Sequence, residues 1–365
     1  MPKPYKLLIA PLDWGLGHAT RTIPLIKCLL TEGCEIVIGA EGQIGQLLRN
    51  EFPKLTFLPL KGYNVVYAKQ KKSLPLKLFL QTPGIILSIY KEHQWLKKVV
   101  KKYSIDAVIS DNRFGLYHSS IRSVYITHQL SIKTGNKFSE KIATSIHHWF
   151  IKKYKQCWVP DFEGENNIAG KLSHPGKKRP DNITYIGGLS RFEKKQGIEI
   201  KYDLLILLSG PEPQRNILEN LLLLQLKQFS GKVLLVRGQP AEIENSFKQN
   251  NTTDKIQIKN HLNAEELNLV IQQAEIVICR AGYTTVMDLI KLQKKAILVP
   301  TAGQTEQEYL ADYLKKQNLF YSVAQDKFLL TTVLEKATAF PYLFKEYNME
   351  QYKKVVHDFL LHVSK

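Results

Sequence analysis

The chain has 365 residues, of which 44% are hydrophobic and 23% are charged. This length exceeds the usual size of one hydrophobic core, so two domains are expected. The formal net charge of +18 favours anionic partners such as phosphorylated substrates, nucleic acid or anionic lipid headgroups. No zinc finger, RNA-binding signature or arginine-rich arm accompanies the charge, which argues against nucleic acid.

The cysteines indicate neither disulfides nor a metal site. They are scattered, with no CxxC pair, and no histidine pair stands at metal-ligand spacing: Cys28, Cys34, Cys157 and Cys279. We expect buried free thiols. Residues 1–6 lead directly into a predicted strand, without a signal-peptide pattern. The longest apolar stretch, 74–90, is interrupted by lysine, glutamine, proline and glycine, so it is not expected to cross a bilayer.

The first predicted unit is a strand, a glycine-rich turn, a helix and a second strand. The apolar run Lys6–Ala10 predicts a strand buried on both faces of a parallel sheet. Gly15 and Gly17 form the turn, and the helix runs to about Glu32 before a strand at Glu35–Gly39. A GxG turn of this kind serves many nucleotide-binding folds.

Two side chains of this turn are candidate bases. His18 stands at the predicted helix start, where the helix N-terminus would hold its pKa down and keep the imidazole neutral. A neutral imidazole can take a proton from an acceptor hydroxyl. Asp13 offers a carboxylate in the same loop as the alternative, and His18 alternatively caps the helix or binds phosphate.

Lysines interleave with aromatic and aliphatic residues between residues 61 and 103. An amphipathic surface of lysine heads and apolar bodies is typical of a protein that lies on an anionic bilayer without crossing it. The alternative is a solvated pair of helices that packs on the sheet.

The next two predicted strands end in polar residues. Strand Asp106–Ser110 precedes Asp111 and Asn112, and strand Ser123–Thr127 precedes His128. Residues directly after parallel strands lie at the carboxyl edge of the sheet, where ligands bind. Asp111 and Asn112 are therefore expected at the ligand-binding edge, which the family resemblance given below implies to be the acceptor side, although Asp111 could instead cap the following helix. His128 is a further base candidate.

A second α/β unit is predicted after a lysine- and glycine-containing segment at 188–200, interpreted as a hinge. Its strands are 203–208, 232–236, 256–258, 276–279 and 295–300. The residues expected at or near their carboxyl ends are Ser209, Gly210, Arg237, Leu262, Arg280 and Gly282.

The stretch from Ile276 to Leu314 predicts a nucleotide-sugar site. A strand feeds through a glycine turn into helix Tyr283–Leu292, whose first turn carries Thr284 and Thr285. Such a helix start offers unpaired N–H groups and the positive end of the helix dipole to a phosphate or diphosphate. Asp288 lies one turn further and could accept hydrogen bonds from a ribose. The residues that could bind sugar hydroxyls are Gln304, Glu306 and Gln307.

These motifs carry a resemblance. RAGYTTVMDL at 280–289, Pro300 and GQTEQ at 303–307 resemble the donor-binding half of GT-B glycosyltransferases, nearest to the MurG-like family (glycosyltransferase family 28). The resemblance implies an α/β fold of two Rossmann-like domains with parallel sheets facing an interdomain cleft. It also implies donor contacts at Ser209, Gly210, Arg237, Leu262, Arg280, Gly282, Tyr283, Thr284, Thr285, Asp288, Gln304, Glu306 and Gln307. The family usually has glutamate at the position of Asp288.

The first loop is similar to the same family on the acceptor side. Gly15-x-Gly17-His18 resembles the glycine-rich loop in which a histidine lies near the acceptor and the donor phosphates, although Arg21 precedes the usual proline. His128 matches the histidine of a His-Glu pair. The implied domains are 1–187 for the acceptor and 201–337 for the nucleotide sugar, with C-terminal helices at 338–365 crossing back to the first domain.

The function implied is inverting transfer of a hexose or N-acetylhexosamine from a UDP-sugar to a hydroxyl of a lipid-linked or membrane-associated acceptor. Arg280 would help to stabilise the leaving-group charge, and no cofactor or metal is expected. The location implied is the inner face of the cytoplasmic membrane, against an anionic surface. The alternatives are a UDP-sugar hydrolase with the GxGHxxR loop at 15–21, a UDP-sugar 2-epimerase, and a non-catalytic nucleotide-sugar-binding protein.

Overall fold

The computed structural model describes residues 4–63, 74–176, 179–210, 212–239 and 255–363, with the backbone alone for 74–82. The chain forms two units. The first comprises Met1–Leu189 with Asn348–Lys365, and the second comprises Ser190–Tyr347. Each unit is a parallel sheet with helices, which confirms the predicted α/β class with two parallel sheets.

The strands of the first unit are β1 Lys6–Pro11, β2 Glu35–Gly39, β3 Thr56–Leu58, β4 Ala107–Asp111, β5 Arg122–Ile126, β6 Gln156–Val159 and β7 Ile183–Tyr185. Its helices are α1 Leu16–Thr31, α2 Gly42–Glu51, α3 Leu74–Tyr103, α4 Lys137–Ile151 and, from the end of the sequence, α10 Gln351–Leu360. The strand order is β3-β2-β1-β4-β5-β6-β7. Pro11 pairs with Asp111, and Asp111 pairs with Ile126, so β1, β4 and β5 end side by side.

The strands of the second unit are β8 Tyr202–Leu207, β9 Val233–Val236, β10 Ile256–Lys259, β11 Ala274–Cys279, β12 Ala296–Leu298 and β13 Tyr321–Ser322. Its helices are α5 Gln214–Leu226, α6 Ala264–Gln272, α7 Tyr283–Leu292, α8 Thr305–Lys316 and α9 Leu330–Thr338. The order is β10-β9-β8-β11-β12-β13. Cys279 pairs with both Leu207 and Leu298, so β8, β11 and β12 end side by side.

The unit boundaries differ from the predicted ones because of particular packing contacts. The segment after Leu189 belongs to the second unit, where Phe192 is buried and the Glu193 carbonyl accepts hydrogen bonds from α6. Phe340 and Tyr342 pack against the second core, so the chain returns to the first unit at Asn348 and not at 338. In the described residues after Thr338, one helix follows, α10.

Two segments of the first unit concern the later argument. Helix α4 begins at Lys137, because the Asn136 side chain accepts hydrogen bonds from the N–H groups of Phe138 and Ser139, and it ends at Ile151. Within the amphipathic region predicted at 61–103, residues 64–73 lie outside the described residues, and α3 covers the remainder from Leu74. No helix in the described part of the chain combines the length and the apolar character needed to span a membrane.

Candidate functional site

The first unit gathers its polar side chains where β1, β4 and β5 end. Gly15 begins α1 with a φ of 94°, a left-handed conformation that glycine adopts without strain. The turn places His18 and, one helical turn later, Arg21 beside Asp111 at the end of β4. His128 joins them from the residues after β5. We call His18, Arg21, Asp111 and His128 the charge cluster.

Asp111 and Arg21 form the buried ion pair of the charge cluster. Their side chains are 0% and 3% exposed. Arg21 Nε donates to Asp111 Oδ2 at 2.7 Å, and Arg21 Nη2 donates to Oδ1. Burial alone would raise the pKa of Asp111, but the guanidinium and His18 outweigh it and bring the pKa to about 2. The carboxylate is therefore ionised at neutral pH.

Both histidines turn Nδ1 towards this ion pair. His18 Nδ1 lies 3.1 Å from Asp111 Oδ1 and 2.9 Å from Arg21 Nη2. His128 Nδ1 lies 2.9 Å from Arg21 Nη1. Burial lowers the pKa of His18 below 6.5, and the charge of Arg21 lowers it further, while Asp111 opposes both. The direction is the one predicted for His18, but the main cause is burial.

Asp13 and Asn112 lie close by but do not join the charge cluster through any hydrogen bond that the structure shows. Asp13 Oδ1 is buried and has no hydrogen-bond partner. A side chain at Gly62 would collide with this carboxylate, since a Cβ there would lie 1.5 Å from Asp13 Oδ2. Asn112 has a φ of 56°, and its N–H donates to the Ile126 carbonyl, so it turns the chain at the end of β4.

A second buried ion pair supports the loops around the cluster. Arg113 Nη1 donates to Glu92 Oε1 at 2.6 Å, and Arg113 Nε donates to the Pro11 carbonyl at 2.9 Å. Tyr63 donates to Glu92 Oε2 at 2.7 Å. The sequence analysis did not identify this network. Glu92 lies on α3, and no local spacing links it to residues after β4.

The second unit shows a different strand edge. Gly282 caps α7 without a side-chain hydrogen bond, as predicted for a helix start at Tyr283. Gly210, with a φ of 98°, lies in the loop after β8 and close to the end of β12. A Cβ at this position would lie 3.9 Å from Thr301 Oγ1. That hydroxyl is buried and has no hydrogen-bond partner. Small residues, Gly210, Gly282 and Thr301, therefore stand close to the ends of β8, β11 and β12.

Three predicted sugar-binding residues lie around the start of α8. Gln304 is exposed and Glu306 is half-buried. Gln307 is buried, and its Oε1 accepts a hydrogen bond from the Thr301 N–H at 2.9 Å. The side chain of Gln307 therefore helps to fix the loop between β12 and α8.

Asp288 is buried on α7 and holds the first residue of its own unit. The Ser190 hydroxyl donates to Asp288 Oδ1 at 2.5 Å. Burial raises the pKa of Asp288 to about 6, although the nearby Arg191 acts in the opposite direction. The contact to Ser190 was not foreseen, and a ribose would have to share this carboxylate with it.

Arg280 needs a correction. Its Nη1 donates to the carbonyls of Val299 and Pro300 and to Gln325 Oε1, and its Nη2 donates to the Gln214 carbonyl. The side chain is 1% exposed. Because its terminal nitrogens bind these four oxygens, Arg280 fastens the loops after β11 and β12. The structure does not support the predicted role in stabilising a leaving group.

Arg237 is also paired inside the unit. Its Nε donates to Glu219 Oε1 at 2.7 Å and its Nη1 to Asn260 Oδ1 at 3.1 Å. Glu219 Oε2 accepts from Arg215 at 3.0 Å. Of the other predicted donor residues, Ser209 is exposed, Leu262, Thr284 and Thr285 are half-buried, and Tyr283 is buried. Among the described residues, no group of three or more His, Cys, Asp or Glu side chains is arranged to hold a metal ion.

Comparison with known proteins agrees with this architecture. Residues 214–359 match the glycosyltransferase family 28 C-terminal domain. Over 220 residues, the chain is 25% identical to the UDP-N-acetylglucosamine–N-acetylmuramyl-(pentapeptide) pyrophosphoryl-undecaprenol N-acetylglucosamine transferase of Fusobacterium nucleatum, covering 56% of this chain and 57% of the relative. Both matches support the predicted resemblance to the MurG-like glycosyltransferases.

Two further matches extend over most of the chain. An uncharacterized glycosyltransferase of Methanosarcina acetivorans is 21% identical over 337 residues, which cover 86% of this chain and 84% of the relative. The crystal structure of MurG from Acinetobacter baumannii superposes with a TM-score of 0.53 at 16% identity, covering 99% of this chain and 94% of that one. This likeness confirms the predicted GT-B fold.

Proposed function

We propose that the protein is an inverting glycosyltransferase that moves a hexose or N-acetylhexosamine from a UDP-sugar to a hydroxyl of a lipid-linked acceptor at a membrane surface. The single observation that carries the proposal is the charge cluster of the first unit. An ionised, buried carboxylate there contacts a histidine that remains neutral near pH 7 and is partly accessible, with its side chain 13% exposed. That combination suits a general base.

In the proposed reaction, His18 takes the proton of the acceptor hydroxyl. The hydroxyl oxygen forms a bond to the anomeric carbon as the bond from that carbon to the UDP oxygen breaks, and UDP leaves with the electron pair. Asp111 stabilises the imidazolium that forms, because its carboxylate lies 3.1 Å from Nδ1. Attack opposite the departing UDP inverts the anomeric centre.

The second unit offers the seat for the UDP diphosphate at the N-terminus of α7. Gly282 has an extended backbone conformation, and a Cβ there would meet its nearest neighbouring atom, Thr285 Oγ1, only at 3.8 Å. Neither the backbone nor the packing requires glycine at this position, and the missing side chain would allow a phosphate to approach the helix N-terminus closely. Thr284 and Thr285 stand in the first turn, and Thr301 brings an unpaired hydroxyl to the same strand edge.

The remaining donor assignments belong to the same proposal. Asp288 would bind the ribose, and Gln304, Glu306 and Gln307 the ribose and sugar. Ser209, Gly210, Arg237 and Leu262 would line the seat, with Arg237 acting through Glu219 and Asn260 rather than on phosphate directly. Because the backbone would carry the leaving-group charge, we propose that no metal or other cofactor is needed.

The membrane part of the proposal rests on an exposed apolar face of the first unit. Phe138, Ile142, Ile146 and Trp149 of α4 are exposed at intervals of four, four and three residues, which places them on one side of the helix. Lys153 Nζ lies 3.8 Å from the centre of the Trp149 ring. On α3, Ile86, Leu87 and Tyr90 are exposed as well. We call the exposed α4 side chains the apolar face.

Exposed lysines accompany the apolar face at Lys137, Lys141, Lys152 and Lys155. Apolar side chains with cationic neighbours suit the boundary between acyl chains and anionic headgroups. The Fusobacterium relative is named for a pyrophosphoryl-undecaprenol acceptor, which supports a lipid-linked acceptor here. We therefore propose a peripheral location at the inner face of the cytoplasmic membrane.

The first experiment follows UDP release from a panel of UDP-sugars, with and without a total lipid extract. Release that requires the extract, and that is retained in EDTA, is the expected result and identifies the donor. Equal release without lipid would replace the transferase with the hydrolase that the GxGHxxR loop also suggests. Binding of UDP-sugars without release under either condition would indicate a non-catalytic protein.

The membrane contact has its own test in sedimentation with phosphatidylglycerol or phosphatidylcholine vesicles. Binding to the anionic vesicles should fall at least 10-fold in Ile146→Glu, because a carboxylate is added to the apolar face. Leu224→Glu, which changes an equally exposed leucine of α5, is the matched control and should bind normally. If Ile146→Glu instead converts a dimer to a monomer and leaves vesicle binding intact, the apolar face is a protein interface.

A further inference from the structure

The charge cluster holds two histidines, and its hydrogen bonds distinguish them. An arginine side chain can only donate hydrogen bonds, and an ionised carboxylate can only accept them. Each Nδ1 must therefore match the group that it faces. Because a neutral imidazole carries one N–H, the group at Nδ1 decides whether Nε2 has a lone pair or a proton.

His128 meets Arg21 at Nδ1. The 2.9 Å contact from Arg21 Nη1 requires a lone pair on Nδ1, which places the proton of neutral His128 on Nε2. A histidine in this tautomer cannot accept a proton at Nε2.

His18 faces both members of the ion pair. Its Nδ1 lies 2.9 Å from Arg21 Nη2 and 3.1 Å from Asp111 Oδ1, and it can serve only one of them. Arg21 Nη2 already donates to Asp111 Oδ1, but that fully buried oxygen can accept a second hydrogen bond. Loss of a hydrogen bond to the buried Asp111 carboxylate would cost more free energy than loss of the contact between Arg21 Nη2 and His18, because Arg21 already binds through all three of its nitrogens. The proton of His18 is therefore expected on Nδ1.

We infer that Arg21 and Asp111 hold the two histidines in opposite tautomers, so that His18 presents the lone pair of Nε2 and is the base, whereas His128 carries its proton on Nε2 and is not. Arg21 is a positioning residue in this arrangement. The inference deepens the proposed function, because it chooses between two candidate bases. The role of a base rests on the proposed function, whereas the tautomers do not. The tautomers themselves can be measured without any substrate.

The decisive measurement is ring ¹⁵N chemical shifts of the free protein labelled at histidine, recorded near pH 7.5 and assigned with His18→Asn and His128→Asn. The expected result is Nδ1–H for His18 and Nε2–H for His128. Nε2–H for both rings, or the reverse pattern, would overturn the inference whether or not glycosyl transfer is observed. Failure of the UDP-release experiment alone would leave these tautomers in place and refute only the proposed function.

Asparagine at the two positions gives a matched pair, because its Oδ1 can replace the accepting Nδ1 of His128 and its Nδ2 can replace the donating Nδ1 of His18. His18→Asn should lower kcat/KM by about 10²–10⁴-fold. His128→Asn keeps an acceptor for Arg21 and should lose at most about 10-fold. Equal losses, or the larger loss at His128, would contradict the inference.

The pH profile tests the part assigned to Arg21. The charged and titratable groups that face His18 are Arg21 of α1, Asp111 of β4 and His128 after β5. Arg21→Gln removes the cation that lowers the pKa of His18, so the acid limb of kcat/KM should move to higher pH and the ¹⁵N shifts of His128 should show mixed tautomers. Arg113→Gln, at the other buried arginine, should change neither. An unmoved acid limb and unmoved shifts in Arg21→Gln would refute the positioning role.

Discussion

The two strand edges of this protein have the same topology and opposite chemistry. In the first unit, the ends of β1, β4 and β5 carry buried ionisable side chains that hold one another in place. In the second unit, the ends of β8, β11 and β12 carry glycines, threonines and the start of α7. An edge built of side chains can move a proton, while an edge built of backbone N–H groups can hold an anion.

The largest expected effect is at Asp111, on the side-chain edge. Asp111→Asn removes the anion that pairs with Arg21 and stabilises the His18 imidazolium. We expect kcat/KM to fall by about 10³–10⁴-fold. The free energy of unfolding should fall by about 3–5 kcal/mol, because Arg21 is left buried without its partner. Kinetics and urea unfolding check both values.

Asp13→Asn is the matched control for Asp111→Asn, with the same chemical change in a neighbouring loop. It should cost much less activity if His18 is the base. If kcat/KM falls further in Asp13→Asn than in Asp111→Asn, the base is Asp13 and the charge cluster does not carry the reaction.

In the second unit, Asp288 is expected to contribute to UDP binding while it lowers the free energy of unfolding at neutral pH. Its folded-state pKa, about 6, lies above the ordinary 3.8, so its stabilising contribution is present at low pH and is lost as pH rises through 6. Asp288→Asn does not titrate. The difference in free energy of unfolding between Asp288→Asn and the wild type should therefore shift in favour of the variant by about 2–3 kcal/mol between pH 4 and pH 7.

The same variant should bind UDP about 10-fold more weakly, because the amide replaces a carboxylate acceptor for ribose hydroxyls. Calorimetry at pH 7 measures the affinity, and unfolding at several pH values measures the stability. Ser190→Ala is the control for the local hydrogen bond alone. A wild-type free energy of unfolding that stays constant or rises relative to that of Asp288→Asn between pH 4 and pH 7 would contradict the raised pKa of Asp288.

The smallest effect is expected at Thr301. Thr301→Val replaces a buried hydroxyl that lacks a partner, so the free energy of unfolding should stay level or rise by about 1 kcal/mol. UDP affinity should fall by a few-fold, while Thr301→Ser should retain it. If valine destabilises the protein and leaves UDP binding unchanged, Thr301 serves the fold and does not contact the ligand.

The fold was predictable because local sequence patterns, apolar runs and the turns between them, indicate the strands of both sheets. The observed bounds of β2 and α7 are the predicted ones, since one is an apolar run and the other a helical period, and each ends in a turn. The unit boundary was not predictable in this way. Whether 338–347 joins one core or the other depends on where Phe340 and Tyr342 find a surface, which no local pattern records.

The candidate site divides along the same line. Glycine turns and polar residues after strands correctly indicated that His18, Asp111 and His128 come together, because strand ends share an edge. Arg21 was noticed as a departure from a family motif, but its partners come from two other strands. Arg280 followed the same kind of signal and proved to bind loop carbonyls. The sequence shows the positive charge of an arginine near a site, but it does not show which groups that arginine binds.

The return of the chain to the first unit at Asn348 has a consequence for biosynthesis. Tyr352, Val356 and Phe359 of α10 complete the core that also contains Trp158 and Ile126. The ribosome releases these residues only after the whole of the second unit. The unit that begins first therefore keeps part of its core uncovered until α10, which follows the whole of the second unit along the chain, can pack on it.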